Sequence, residues 1–368
     1  MATPTKKMTY RFLGDSGLLV STLSVGSWMT YHPESDMDAW YDLMKTAYDH
    51  GINFFDSAEV YNDGNADAFM GHAISRGIQE GVWTREDLVL TAKFSNGRQG
   101  EYESGPNGIG NSRKHLVEGI KLTLKKMQVE YVDVIFSHRP EKFTPIEEVV
   151  RAMNFIINQG WAFYWGTSEW SASDVAEACA IADRLGLIRP IVEQPQYNMF
   201  ERNKVEHELV DLFTKYKLGT TVWSPLAGGV LTGKYNQEVP SSARLANPAA
   251  QAWVGDFDGK VAKARELEAV AKRLGCTLAQ LAIAWCASNP NVSTVMLGAR
   301  NAAQLIETLK AIEVLDKITP EVKAEIDAIV QFVPKRSSHD HFHTSRQRYL
   351  VGDLSVPAWG NYMGKPKA

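Results

Sequence analysis

Two short apolar runs of this sequence end in residues that could do acid–base chemistry. The run at residues 52–55 leads to Asp56 and, five residues later, to Tyr61, and the run at 88–92 leads to Lys93. Each run follows a helical pattern and is typical of a buried parallel strand. In barrel enzymes the carboxyl ends of such strands carry the chemistry, so we predict that these side chains share an active site. The alternative is a structural Asp–Lys ion pair with the tyrosine in the core.

These residue types suit hydride transfer to a carbonyl group with proton donation. The carbonyl oxygen gains negative charge as the hydride arrives, so a donor must lie beside it. A phenol has an ordinary pKa of about 10, and a nearby ammonium group makes it a better acid. Lys93 is suited to that role, and Asp56 would keep Lys93 in place and charged. His138, at the end of another strand-like run, could orient the carbonyl oxygen.

The elements that must position these residues alternate regularly along the chain. Eight strand-like runs are each followed by a helical pattern, and glycines 51, 77, 160, 186 and 219 are predicted to end helices. This order predicts an α/β fold, a single (β/α)₈ TIM barrel over residues 10–333. We also expect a flexible N-terminus at 1–9, a β-hairpin turning at 14–17 whose second strand is 22–26, an irregular segment at 226–259, and a C-terminal extension at 334–368.

Composition narrows the class of protein. The chain has 368 residues, 44% of them hydrophobic and 22% charged, with a net charge of −4, which indicates a globular protein without a nucleic-acid partner. No run is long enough to span a bilayer, and the first residues lack the apolar segment of a signal peptide. The three cysteines show no CxxC spacing and are expected to be reduced. We therefore predict a cytoplasmic location.

Three near-motifs point to chemistry that we do not assign. Residues 228–234 nearly match a P-loop, but Tyr235 stands where the Ser or Thr ligand of Mg²⁺ belongs, so the loop is predicted to cradle a pyrophosphate with Lys234 instead of hydrolysing ATP. Residues 108–110 lack the third glycine of a dinucleotide fingerprint, and a Rossmann domain is not supported. The histidine-rich stretch at 339–343 has no second ligand cluster, and no metal is predicted.

Longer phrases carry a family resemblance. FDSAEVY, SHRP, YWGTS, EQPQYN, WSPLAGG and VMLGARNAAQLIE together resemble the aldo-keto reductase superfamily, over about residues 10–333. LGCTLAQLAIAWC and neighbouring phrases resemble, within it, the β subunits of voltage-gated potassium channels. The resemblance implies a TIM barrel that binds NADP(H) at its C-terminal face without a metal. It also implies that Asp56, Tyr61, Lys93 and His138 are the catalytic tetrad, with Tyr61 as the acid.

The resemblance further implies which residues surround the ligands. The implied cofactor contacts are Gly26, Ser27, Trp28, Asp56, Ser168, Glu169, Gln194, Trp223, Ser224, Pro225, Leu226, Ala227, Gly228, Lys234, Arg244, Gly298, Arg300, Gln304, Glu307 and Thr308. Cationic side chains in this set favour a 2′-phosphate, and hence NADP over NAD. The expected substrate pocket comprises Trp28, Tyr31, Phe94, His138 and Trp170.

Departures from the channel-subunit pattern leave two functions open. His138 stands where those subunits usually carry Asn, which completes the tetrad and favours NADPH-dependent reduction of aldehydes or ketones. Glu169 replaces an Arg and Thr308 an Asn, which weakens the cofactor match, and 95–96 lack an aromatic residue, which should widen the substrate entrance. The alternative is a regulatory subunit of a potassium channel or another membrane protein that uses NADP(H) as a redox sensor. In either case we expect a homo-oligomer, with a tetramer as one form.

Overall fold

A closed barrel of eight parallel strands forms the body of the protein, as predicted. The computed structural model describes residues 7–28, 36–97, 105–237, 239 and 243–335. A separate antiparallel pair consists of β1 (Tyr10–Phe12) and β2 (Leu19–Ser21), and the barrel strands are β3 (Leu23–Gly26), β4 (Phe54–Asp56), β5 (Val89–Phe94), β6 (Val132–Ser137), β7 (Ala162–Ser168), β8 (Val192–Gln194), β9 (Gly219–Val222) and β10 (Val292–Leu297). Strands β3 to β10 are neighbours in chain order, and β10 closes the barrel by pairing with β3.

Helices surround the barrel. They are α1 (Met37–Asp49), α2 (Ala66–Gln79), α3 (Arg113–Met127), α4 (Ile146–Asn158), α5 (Ala172–Leu185), α6 (Val210–Lys215), α7 (Pro248–Val254), α8 (Phe257–Leu274), α9 (Leu278–Ala287), α10 (Ala302–Leu309), α11 (Ala311–Val314) and α12 (Pro320–Val330). Their apolar faces pack on the outside of the strands in one large hydrophobic cluster. Within the described ranges, no helix is both long and apolar enough to cross a membrane.

The N-terminal hairpin is present, but its second strand differs from the prediction. β2 ends at Ser21, and β3 starts at Leu23 as a barrel strand instead of continuing the hairpin. The break falls at Thr22, whose amide and hydroxyl both donate to the carbonyl of Thr9. The hairpin turn lies against the N-terminal end of the barrel, where a Cβ on Gly14 would come within 1.9 Å of the Ile191 carbonyl oxygen. The hairpin therefore closes that end.

Two glycines predicted to end helices serve other purposes. Gly77 lies inside α2 instead of ending it. The residue is glycine because a Cβ there would fall 2.1 Å from the ring of Trp83, so the position admits only a hydrogen. Gly219 opens β9 and touches the backbone of Gly14. The segment at 226–259 is also more ordered than expected, since it contains a short 3₁₀ helix at Ala227–Thr232 and helix α7.

Candidate active site

A buried ion pair lies at the centre of the barrel's C-terminal end. Asp56 ends β4 and Lys93 lies near the end of β5, and both side chains are fully buried with the Lys93 Nζ 2.5 Å from Asp56 Oδ2. Lys93 Nζ also donates to the Ser57 carbonyl at 2.9 Å. Asp56 Oδ1 accepts from Thr91 Oγ1 at 2.8 Å and from Gln194 Nε2 at 3.1 Å. Both charges are therefore compensated and held in fixed positions, as a buried pair requires.

Tyr61 lies directly above this pair. It begins a short 3₁₀ helix, Tyr61–Gly64, that follows β4. Its ring is 4.8 Å from Lys93 Nζ, and its edge contacts are with Trp28, at 5.0 Å between ring centroids, and with His138, at 5.8 Å. Tyr61 is 8% exposed and lines the cavity described below. The four residues predicted as catalytic are thus brought together around one point.

The protonation states follow from burial. Burial, and then the charge of Asp56, raise the pKa of Tyr61 well above its ordinary value, while Arg139 opposes them. Burial, and then the charges of Lys93 and Arg139, lower the pKa of His138 well below its ordinary value. At neutral pH the site therefore presents a protonated phenol and a neutral imidazole. The acidifying effect expected from Lys93 is outweighed here by burial and by the charge of Asp56.

A cavity of about 1220 Å³ opens from this point along the ends of the strands. That volume exceeds what a small substrate needs and suits a larger ligand in addition. Of the predicted cofactor contacts, the cavity wall includes Gly26, Trp28, Asp56, Gln194, Trp223, Ser224, Pro225, Leu226, Gly228, Lys234, Gly298, Arg300, Gln304, Glu307 and Thr308.

The far end of the cavity is suited to an anion. Helix α9 begins after Thr277 and helix α10 after Asn301, and each cap side chain accepts from an amide of its first turn. Helix N-termini carry partial positive charge and attract anions. Lys234 and Arg300 also line the cavity. These residues fit the phosphate groups of a dinucleotide.

Several predicted residues do not reach the cavity wall. Phe94 follows the inward-facing Lys93 and so points outward, where it packs against Gly119 of α3. Trp170 is 2% exposed and lies outside the cavity lining. Ser168 is covered, because it accepts from Arg139 Nη1 at 3.0 Å and donates to the Gln194 carbonyl. Ser27 and Ala227 also lie behind the wall.

Glu169 is turned away from the cavity. Its backbone takes a left-handed conformation, with φ of 59°. Its Oε1 accepts from the amide of Gln196 at 2.6 Å and from the Trp223 indole at 3.0 Å. Glu169 thus positions Trp223, which does line the cavity. Tyr31, the side chain of Arg244 and the histidines at 339–343 fall outside the described part of the structure.

Other residues of the wall were not predicted from the sequence. The most important is Arg139, which follows His138 directly and donates from Nη1 to the His138 carbonyl at 2.6 Å. Asn96, Thr277 and Met296 also line the cavity. Arg139 and Asn96 each lie a few residues beyond the end of a strand, in the position that predicted the tetrad, so the same reasoning could have found them.

A second buried carboxylate ties together the loops around Tyr61. Glu59 Oε1 accepts from the amides of Ser95 and Gly97, at 2.8 and 3.0 Å, and lies 3.0 Å from His115 Nε2 on α3. Glu59 and His115 are almost fully buried. Because Glu59 precedes Tyr61 by two residues, this cluster fixes the loop that carries the phenol to the loop that follows Lys93.

Comparison with known proteins agrees with the barrel fold. The profile of the Aldo/keto reductase family matches residues 22–331. A protein of Arabidopsis thaliana named "Probable voltage-gated potassium channel subunit beta" is 51% identical over 335 residues, which is 89% of this chain and 98% of that protein. A protein of the same name from Oryza sativa subsp. japonica is 49% identical over 336 residues, covering 90% and 99%. A similarly named protein of Schizosaccharomyces pombe is 44% identical over 334 residues, covering 89% and 95%.

Proposed function

Because the chain belongs to the aldo/keto reductase family, we propose that it reduces aldehydes or ketones to alcohols with NADPH. Family membership supports an oxidoreductase that uses a nicotinamide dinucleotide, and the choice of NADPH and of carbonyl substrates is our proposal. The observation that carries it is the meeting of Tyr61, His138 and the Asp56–Lys93 pair at one end of a large cavity.

Each residue of the tetrad would have a separate role in carbonyl reduction. The bound nicotinamide would supply the hydride to the carbonyl carbon. Tyr61 Oη would donate its proton to the carbonyl oxygen as negative charge develops there. Neutral His138 would donate a hydrogen bond to the same oxygen and so orient the carbonyl group. Lys93, whose ammonium lies 4.8 Å from the centre of the Tyr61 ring, would stabilise the phenolate left behind, and Asp56 keeps Lys93 in place.

The proposed cofactor contacts follow the length of the cavity. Gln194 lies near the tetrad, since its Nε2 donates to Asp56 Oδ1 at 3.1 Å, and Trp223, Ser224, Pro225, Leu226 and Gly228 continue the lining. Lys234 and Arg300, with the N-termini of α9 and α10, favour the additional 2′-phosphate of NADP. Glu307 is already engaged, since its Oε1 accepts from Gln280 Nε2 at 2.8 Å and its Oε2 lies 3.1 Å from Lys310. Its negative charge is therefore partly compensated, and it repels a nearby phosphate less than a carboxylate without partners would.

Replacement of Tyr61 tests the proposal. Tyr61→Phe should lower kcat/KM by about 10²–10⁴-fold, the usual contribution of a general acid. NADPH affinity should stay close to that of the wild type, because the hydroxyl serves the substrate. The measurement is the loss of reduced-nicotinamide absorbance with a panel of aldehydes, quinones and sugar aldehydes, together with a fluorescence titration of NADPH.

Tyr164→Phe is the matched control. Tyr164 lies on β7 against the apolar cluster at the opposite end of the barrel, far from the cavity. The Tyr164→Phe substitution should leave kcat/KM and the affinity for NADPH unchanged. Full turnover by the Tyr61→Phe protein would remove Tyr61 from the role of acid. A wild-type protein that binds NADPH tightly but turns over no member of the panel would contradict the enzymatic proposal.

The names of the relatives favour a second function. Both plant relatives are named as channel β subunits, and this chain aligns with nearly the whole length of each. We therefore also propose a regulatory subunit that assembles as a homo-oligomer in the cytoplasm, docks on a membrane protein and senses the redox state of its nicotinamide. Light scattering gives the oligomeric state. Affinity purification from membranes, with and without cross-linking, tests the partner, and recovery of no stable membrane protein would count against this function.

A further inference from the structure

Arg139 places a positive charge at the reacting end of the cavity. The residue follows β6, and its side chain lines the cavity together with Tyr61 and His138. Its Nη1 donates to the His138 carbonyl and to Ser168 Oγ, at 2.6 and 3.0 Å, and its guanidinium carbon lies 6.0 Å from the centre of the Trp223 ring. These three contacts, two of them hydrogen bonds from Nη1, hold the guanidinium group in a fixed position.

The carboxylates of this region have other partners. Asp56 is paired with Lys93, and Glu169 accepts from Trp223 and lies 3.7 Å from Lys204. Among the residues that the structure describes, no carboxylate forms an ion pair with Arg139, and no hydrogen bond leaves its Nε or Nη2. Since His138 is neutral and the Asp56–Lys93 pair cancels, Arg139 gives this end of the cavity a net positive charge.

Asn96 adds a second hydrogen-bond donor to the same cavity. Its Oδ1 accepts from Ser95 Oγ at 3.1 Å, which leaves its amide NH₂ as the group available to a ligand. A fixed guanidinium edge and an amide donor together suit a carboxylate, whose two oxygens match the N–H groups of arginine.

We propose that Arg139 binds a carboxylate carried by the carbonyl substrate, so that the preferred substrates are aldehydes or ketones that bear a carboxylate group. This inference rests on the proposed reductase function and specifies its substrate class. Arg139 acts in it as a specificity residue, with Asn96 as a second contact. The proton donor and the hydride acceptor are unchanged.

The test compares matched acids and esters. Wild-type protein, Arg139→Gln and Arg139→Lys are assayed with 2-, 3- and 4-carboxybenzaldehyde and with the methyl ester of each. In the wild type, kcat/KM for at least one acid should exceed that for its ester. Arg139→Gln should reduce this acid-to-ester ratio by about 10- to 100-fold, the equivalent of a charge-assisted hydrogen bond. Arg139→Lys should keep part of the preference. The ratio is the readout, because loss of the contacts to His138 and Ser168 affects both members of a pair.

Equal ratios in the wild type and Arg139→Gln for all three isomers would overturn the inference. Weaker NADPH binding with an unchanged ratio would overturn it too, and would assign Arg139 to the cofactor. Thermal unfolding reports whether each variant folds. If the glutamine variant does not fold, the lysine variant and the salt dependence of the wild-type ratio decide, since screening should lower a preference based on charge and leave a preference based on shape.

A binding experiment separates this inference from the reductase proposal. Calorimetry with the NADP⁺-loaded protein compares benzoate with benzamide, which has the same ring and no charge. Tighter binding of benzoate by the wild type, lost in Arg139→Gln, supports the carboxylate site even if no aldehyde is turned over. Equal binding of the two probes contradicts it even if the esters are reduced rapidly.

Discussion

The two ends of the barrel are built from the same strands but have opposite chemistry. The N-terminal end is filled by an apolar cluster that the hairpin covers, comprising Leu13, Val20, Phe54, Val89, Val134, Phe136, Ile191 and Val192. The C-terminal end holds the buried charges of Asp56 and Lys93 and opens into the cavity. On several strands the change takes one inward step of two residues, as from Phe54 to Asp56 on β4 and from Val192 to Gln194 on β8.

This arrangement separates stability from chemistry over a very short distance. Inward-facing positions recur every second residue along a strand, so one strand supplies a packing residue and then a chemical one. The apolar layer gives the polar layer a rigid base, and the polar layer needs internal partners because the Asp56 and Lys93 side chains are fully buried. Substitutions at the two ends should therefore affect different measurements.

Replacement of Lys93 should have the largest effect and should break the polar end. Lys93→Met leaves Asp56 buried without its partner, which should cost about 3–5 kcal/mol of unfolding free energy. Turnover should also fall by at least about 10²-fold, because the phenolate loses its stabilising charge. Urea unfolding and steady-state kinetics measure the two effects.

The double variant Asp56→Asn with Lys93→Met is the control for that result. It removes both charges and should regain most of the lost stability, while turnover stays low. If turnover returned with stability, the pair would be a structural feature alone, and the alternative stated from the sequence would be correct.

Truncation of Phe136 should have the next largest effect and should act on the apolar end. Phe136 is fully buried, and its ring approaches Gly166 of β7. Phe136→Ala should lower the unfolding free energy by about 3–5 kcal/mol and leave KM for NADPH nearly unchanged below the unfolding transition. Phe163→Ala is the matched control, since Phe163 is 46% exposed on the outside of the barrel. A change in KM for NADPH that is equivalent in free energy to the loss of stability would show that the two ends are coupled.

Near pH 5 neutralisation of Glu193 should have the smallest of these effects, and its effect on the unfolding free energy should grow as the pH rises. Burial raises the pKa of Glu193 to about 8, although the Thr167 hydroxyl donates to its Oε2 and opposes the shift. The folded protein therefore holds a proton that the unfolded chain releases near its ordinary pKa of about 4.3. Stability from this group should fall as the pH rises between those values, by at most about 1.4 kcal/mol per unit.

Glu193→Gln should remove that pH dependence. The glutamine side chain has nearly the same shape and remains neutral, so its unfolding free energy should be flatter between pH 5 and about 8 than that of the wild type. The measurement is a series of urea unfolding curves at constant ionic strength. Parallel curves for the two proteins would mean that Glu193 is ionised in the folded state.

The sequence was sufficient to predict the barrel and the meeting of the tetrad, for a simple reason. The parallel runs that end in Asp56, Lys93 and near His138 can only place those ends at one face. It did not separate Lys93 from Phe94, although strand alternation forbids both from facing inward. The left-handed backbone of Glu169 and the close contact of Gly77 with Trp83 depend on neighbours distant in sequence, and local patterns do not contain them.

The Glu59 cluster has a consequence for how this site can diversify. Two of the three donors to its carboxylate are main-chain amides, those of Ser95 and Gly97. A main-chain donor is present whatever the side chain, with proline as the exception. The side chain at position 96 can therefore change while the anchor of the Tyr61 loop stays the same, but position 97 must remain glycine because its backbone is left-handed, with φ of 73°. In protein engineering position 96 is therefore a site to vary, provided that the two amides, Gly97 and His115 are kept.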